Sequence, residues 1–182
     1  MKLTIAAASL LVLAAGCSPT AGPANDSAIA NDSAAAPTPP PVAKSPAQAF
    51  ADATASGDSF EAAAGTLAAE KATSPALKAW GTKMMREHVT STMKLKLAAA
   101  KVPGILVDAT LSPEQTANLK TLQDATGPAF DAAYKAQNLA SLIALHKMMV
   151  DYAAKGDDET LRGFATENEM FARRRLTLAR TL

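Results

Sequence analysis

Apolar side chains between residues 46 and 182 recur in alternating steps of three and four, the spacing of one face of a helix. Phe50, Ala53, Gly57, Phe60, Ala64 and Leu67 form a first stripe. A second runs through Leu77, Trp80, Met84, His88, Ser91, Leu95 and Ala98. Phe130, Tyr134, Gln137, Ser141, Leu145, Met148 and Tyr152 make a third, and Leu161, Phe164, Asn168, Phe171, Arg175 and Leu178 a fourth. The start and stop signals agree with these stripes. Ser45-Pro46 and Ser74-Pro75 pair an N-cap with a proline at the first helical position. Pro103-Gly104 ends the second stripe, and Lys155-Gly156 carries a C-cap signal for the third. Residues 103–112 read as a loop. Ser112-Pro113-Glu114-Gln115 then opens a short helix with a capping box, which Thr126-Gly127-Pro128 breaks.

The pattern predicts an all-α domain over 46–182: four long amphipathic helices, with a short extra helix between the second and third. Alternating strands and hairpin dipeptides are absent. Short links between the first and second, and the third and fourth, imply antiparallel hairpins joined by a long middle connection. About 137 residues suffice for an antiparallel four-helix bundle with a sizeable, alanine-rich core.

The N-terminus follows different rules. Met1-Lys2 is a short positive start, Leu3 to Ala15 is apolar apart from Thr4 and Ser9, and Leu13-Ala14-Ala15-Gly16-Cys17 leads into the chain's single cysteine. This is the layout of an export signal over residues 1–16, and it resembles a bacterial lipoprotein signal. That resemblance implies that Cys17 is acylated and becomes the mature N-terminus. The apolar run is short of the roughly 20 residues that a spanning helix needs. Acylation would attach the protein to a membrane through its N-terminal lipid. Ser18, in place of an aspartate, points to the outer membrane and a domain facing the periplasm. Residues 17–45 are rich in Ala, Pro, Ser, Asn and Asp, repeat Ala-Asn-Asp-Ser-Ala and end in a proline-rich run. Such a segment buries too little apolar surface to fold and reads as a disordered tether reaching roughly 30 Å.

Eighteen Lys and Arg balance 17 Asp and Glu, for a net charge of +1. With the export signal, that balance argues against nucleic acid and leaves the membrane and a protein of the envelope as expected partners.

Within the helical region, Phe60 to Ala72 (Phe-Glu-Ala-Ala-Ala-Gly-Thr-Leu-Ala-Ala-Glu-Lys-Ala), Met84-Met85-Arg86-Glu87-His88 and Gly127 to Tyr134 (Gly-Pro-Ala-Phe-Asp-Ala-Ala-Tyr) resemble a bacterial family of exported bundles known as domain of unknown function 4142. The segment Leu161–Leu182 fits it more loosely. The resemblance implies a ferritin-like bundle and no particular reaction. It also implies histidines on the second, third and fourth long helices. Here those places hold His88, Leu142 and Arg175, so two of three ligands are replaced. His146, one turn beyond Leu142, is displaced about 6 Å along the axis.

Di-iron carboxylate bundles carry Glu-x-x-His on two helices, and this chain has none. Glu87 and His88 are adjacent and point about 100° apart. His88, on the second stripe, is expected to be a hydrogen-bonded core histidine. As a metal ligand its partners would be Glu61 and either Glu167 or Asn168. Arg175, on an inward stripe, is expected to snorkel or to pair with Glu61 or Glu87, since an unpaired buried guanidinium is very costly. Met84, Met85, Met93, Met148, Met149 and Met170 would suit Cu(I) but are ordinary bundle filler. Arg173-Arg174-Arg175 reads as a solvated helix end. No nucleophile motif, phosphate loop or His-Glu-x-x-His occurs. No cofactor and no catalytic residue are therefore expected. The polar core candidates are His88, Glu61, Glu87 and Arg175. The function expected is non-enzymatic binding in the envelope, including stress-related binding. The alternative is a ferritin-like metal-binding or redox protein using iron, copper or zinc.

Overall fold

A computed structural model of the chain describes residues 43–182. The expected signal peptide 1–16, the expected lipidation site Cys17 and the expected tether up to residue 42 lie outside the described residues. The rest forms five α-helices: α1 Pro46–Lys71, α2 Pro75–Ala99, α3 Pro113–Asp124, α4 Gly127–Lys155 and α5 Glu159–Ala179. Among the described residues there is no strand, and no helix is long and apolar enough to cross a membrane.

Local chemistry sets the boundaries. Ser45, Ser74, Ser112 and Asp158 each accept a backbone N–H of the first turn. Such a cap contributes about 1 kcal/mol. Ser112 and Gln115 complete the capping box. Gly156 ends α4 with φ −57°, outside the left-handed region that its C-cap signal implied. Its reason to be glycine is steric: an added Cβ would stand 2.5 Å from the Tyr152 ring.

The helices pack in a cyclic order. α1 lies mainly on α2, and α4 on α5; α1 also meets α4, and α2 meets α5 along the loosest seam. Cross-helix pairs give the directions. Asp58 meets His88 and Gly65 meets Gly81, so α1 and α2 run antiparallel. Phe50 stacks on Tyr152 with centroids 3.9 Å apart, while Lys71 caps the Phe130 ring at 5.4 Å, so α1 and α4 are antiparallel too. Glu87 meets Arg175 and Lys94 lies over Phe171, which reverses α5 against α2. α2 and α4 are therefore parallel, and the segment 100–126 with α3 carries the chain back. Lys71 holds the end of α3, donating to the carbonyls of Leu122 at 2.9 Å and Gln123 at 2.5 Å.

Two apolar clusters fill the interior. One gathers Phe60, Trp80, Leu122, Phe130 and Tyr134; the other Phe50, Leu95, Met149, Leu161 and Phe164. α1 and α2 approach through a glycine pair: a Cβ on either Gly65 or Gly81 would lie 2.6 Å from the other's carbonyl oxygen.

Some stripes are rotated from expectation. On α4 the buried set is Phe130, Tyr134, Asn138, Leu142, Leu145, Met149 and Tyr152; Gln137, Ser141 and Met148 are only half-buried. The turn follows from Asn138, which is drawn inward by hydrogen bonds to two other helices. Ala53 is exposed, and Phe171 and Leu178 of α5 are exposed while Ala172 and Leu176 are buried in their place.

Candidate functional site

A belt of polar side chains lies near the boundary of the two apolar clusters. Thr54, Asp58 and Glu61 are spaced by four and three on α1 and so share its inner face; all three are buried. α2 supplies Trp80 and His88, and α4 supplies Asn138. Trp80 Nε1 donates to Asn138 Oδ1 at 2.9 Å, and Asn138 Nδ2 donates to Glu61 Oε2 at 2.6 Å. One amide thus links three helices. His88 Nδ1 lies 2.7 Å from Asp58 Oδ1. An ionised Asp58 can only accept, which puts the shared proton on Nδ1. The Thr92 hydroxyl stands 3.3 Å from Asp58 Oδ2.

Several buried atoms have no protein partner: Glu61 Oε1, His88 Nε2, Tyr134 Oη, Thr54 Oγ1 and Gln137 Oε1. Burial pushes the Glu61 carboxyl upward, against the nearby His88 charge and the Asn138 hydrogen bond. Burial, with Glu61 adding to it, likewise drives the Tyr134 hydroxyl well above its ordinary value. The belt therefore favours a neutral carboxyl and a neutral phenol. Asp58 orients the imidazole as a carboxylate orients a ligating histidine. Yet among the described residues no group of three or more His, Cys, Asp or Glu side chains is placed to hold a metal ion. Leu142 is an apolar core residue and Arg175 faces another helix, so the residues present do not fit a di-iron carboxylate centre.

The four sequence candidates divide between two places. Glu61 and His88 join the inner belt, where the partner of His88 is Asp58. Glu167 is exposed, and Asn168 donates to the Phe164 carbonyl of its own helix at 2.8 Å, so neither is paired with His88. Glu87 and Arg175 meet outside the core, between α2 and α5, where Arg175 Nε donates to Glu87 Oε2 at 2.8 Å. Lys83 completes this group on Glu87. Burial raises the Glu87 carboxyl, but Arg175 and Lys83 outweigh it and hold the group below the ordinary carboxylate value. His146 lies 3.2 Å from Glu169 on the α4–α5 side. Asp58 is the residue that the apolar stripes missed. Its signal was the three-residue spacing to Glu61, which puts both carboxylates on one face.

Beside Glu87 and Arg175 the α2–α5 seam opens into a groove of about 480 Å³. Lys83, Arg86, Glu87 and Lys94 of α2 face Phe171 and Arg175 of α5 across it.

Residues 31–182 match the family described as Domain of unknown function (DUF4142). No curated protein and no solved structure matches the chain.

Proposed function

We propose a function from the premise that this chain belongs to the DUF4142 family: it is a lipid-anchored, periplasm-facing helical bundle with a non-enzymatic binding role in the bacterial envelope, including stress-related binding. The bundle is a ferritin-like antiparallel four-helix bundle, with α3 as an insertion in its crossover. The cyclic order of the four long helices and the parallel run of α2 and α4 support that architecture. The anchor rests on the signal-like residues 1–16 and on Cys17, with the outer membrane as the membrane of residence.

One observation carries the binding reading. The buried acids and the imidazole sit away from solvent, with Asp58 tied to His88 and Glu61 to Asn138. The solvent-open groove beside them is lined instead by cations and an aromatic ring. The interior thus acts as a specificity-giving framework, and recognition happens at the surface. A partner in the envelope would meet the bundle on a helix face or along that groove.

Two measurements test the reading. Metabolic labelling with a palmitate analogue in a bacterial host should tag the protein and place it in the membrane fraction, and Cys17→Ser should lose both. Elemental analysis of protein purified without chelator or histidine tag should find no stoichiometric metal. Iron, copper or zinc near one per chain, lost in His88→Ala, would overturn the binding reading in favour of a ferritin-like metalloprotein that uses the two unpartnered atoms, His88 Nε2 and Glu61 Oε1.

A further inference from the structure

We infer that the α2–α5 groove is a binding site for a small organic anion whose body is flat and apolar. This deepens the binding role proposed above by naming the ligand class.

Charge is the first argument. Four cations (Lys83, Arg86, Lys94 and Arg175) and a single carboxylate (Glu87) line the groove, a formal excess of +3 from 4 minus 1. The whole chain carries only +1. Like charges gathered in one cleft focus a field that attracts anions. Glu87 is already engaged by Lys83 and Arg175. Arg86 and Lys94 have no carboxylate partner among the described residues. They are the cations left to meet a ligand.

Shape is the second. Lys83 and Lys94 are separated by about 16 Å along the α2 axis, so a lone inorganic ion would leave most of the groove empty. Between them Phe171 is 41% exposed, and the Lys94 ammonium lies 5.5 Å from its ring centroid. An aromatic face held under a cation offers a stacking surface beside a charge. Ser91 and Asn168, both buried, add polar atoms to the lining. The volume of about 480 Å³ falls within the roughly 300–1,000 Å³ typical of small-molecule sites. A phosphate, sulfonate or carboxylate would lie toward Arg86 and Lys94, with its apolar body on Phe171.

The probe is 8-anilinonaphthalene-1-sulfonate, compared with N-phenyl-1-naphthylamine, the same ring system without the sulfonate. Both are titrated into the chain from residue 17 onward carrying Cys17→Ser. The sulfonated dye should bind saturably and weaken as salt rises, and the neutral dye should bind about tenfold more weakly or worse. Arg86→Glu with Lys94→Glu should weaken the sulfonated dye by about tenfold or more, while Arg86→Lys with Lys94→Arg keeps it. All variants should retain the parent's circular dichroism and melting temperature. Equal binding of the two dyes, or indifference to charge reversal, overturns the inference. So does charge-dependent sedimentation with phosphatidylglycerol vesicles without dye discrimination, which would make the groove a reader of membrane surface. These outcomes are separate from the lipid-labelling and metal measurements, on which the broader reading stands or falls.

Discussion

Glu61 is the residue whose position is hardest to reconcile with stability alone. It is fully buried, has no cationic hydrogen-bond partner, and its carboxyl is pushed up from the ordinary value of 4.5 by burial. An acid raised in the folded state contributes stability below its unfolded value and loses it as pH climbs through the folded one. Glu61→Gln keeps an acceptor for Asn138 and removes the ionisation. It should therefore melt higher than the parent at neutral pH, with the difference shrinking toward about pH 4; melting curves across that range check it. An unchanged difference across the range would mean that the Glu61 carboxyl titrates alike in the folded and unfolded chain, and would overturn the effect of burial. The sequence already put His88 on an inward-facing stripe and named Glu61 as a possible partner, though the α1 stripe ran past Glu61. It did not reveal Asp58 as the partner of His88, because an aspartate between small residues reads as surface until the neighbouring helix is in place. Arg175 was legible as a cation on an inward stripe that would either snorkel or pair with Glu61 or Glu87. Which carboxylate took it depended on how α5 is rotated against α2, and that is a property of packing.

The helices themselves were largely written in local chemistry. The Ser-Pro starts of α1, α2 and α3 and the capping box of α3 lie where the sequence put them, since caps and prolines act within one turn. Rotation about each axis was less legible. On α4, Gln137–Ser141–Met148 and Asn138–Leu142–Met149 both continue the Phe130–Tyr134 stripe, and hydrogen bonds to Trp80 and Glu61 select the second. Helix separation was legible only as an excess of small residues. The Gly65–Gly81 contact makes it specific, because a methyl on either would meet backbone, which cannot swing aside. Gly65→Ala and Gly81→Ala should each destabilise the fold by about 1–3 kcal/mol through overpacking. Gly163 of α5 has open space around a would-be Cβ, so Gly163→Ala should stabilise by about 0.5–1 kcal/mol. Urea denaturation of the three variants separates steric contact from helix propensity.

For the whole molecule, acid should be more damaging than the charge balance suggests. The carboxyls of Asp52, Glu87 and Asp131 are all held below their ordinary values. For Asp52 and Glu87 burial acts in the opposite direction, and Lys44, Lys83 and Arg175 with local hydrogen bonds overcome it. For Asp131 the main cause is the Thr73 hydroxyl. Groups lowered in this way add stability above the ordinary values of 3.8 to 4.5 and lose it as pH falls below them. The urea midpoint should thus drop steeply below about pH 4, opposite in sign to the Glu61 effect, which leaves a maximum between the two. The same cyclic arrangement has a mechanical side. Pro46 begins α1 beside Tyr152, whereas Leu182 accepts a hydrogen bond from Lys135 near the start of α4, so the folded domain begins and finishes at opposite poles, about 40 Å apart by the rise of α1. Tension applied between those poles runs along the helix axes and must slide all the contacts of a seam at once. A pull of that kind meets a shear-resistant strut, where termini at one pole would have let the helices peel apart one turn at a time.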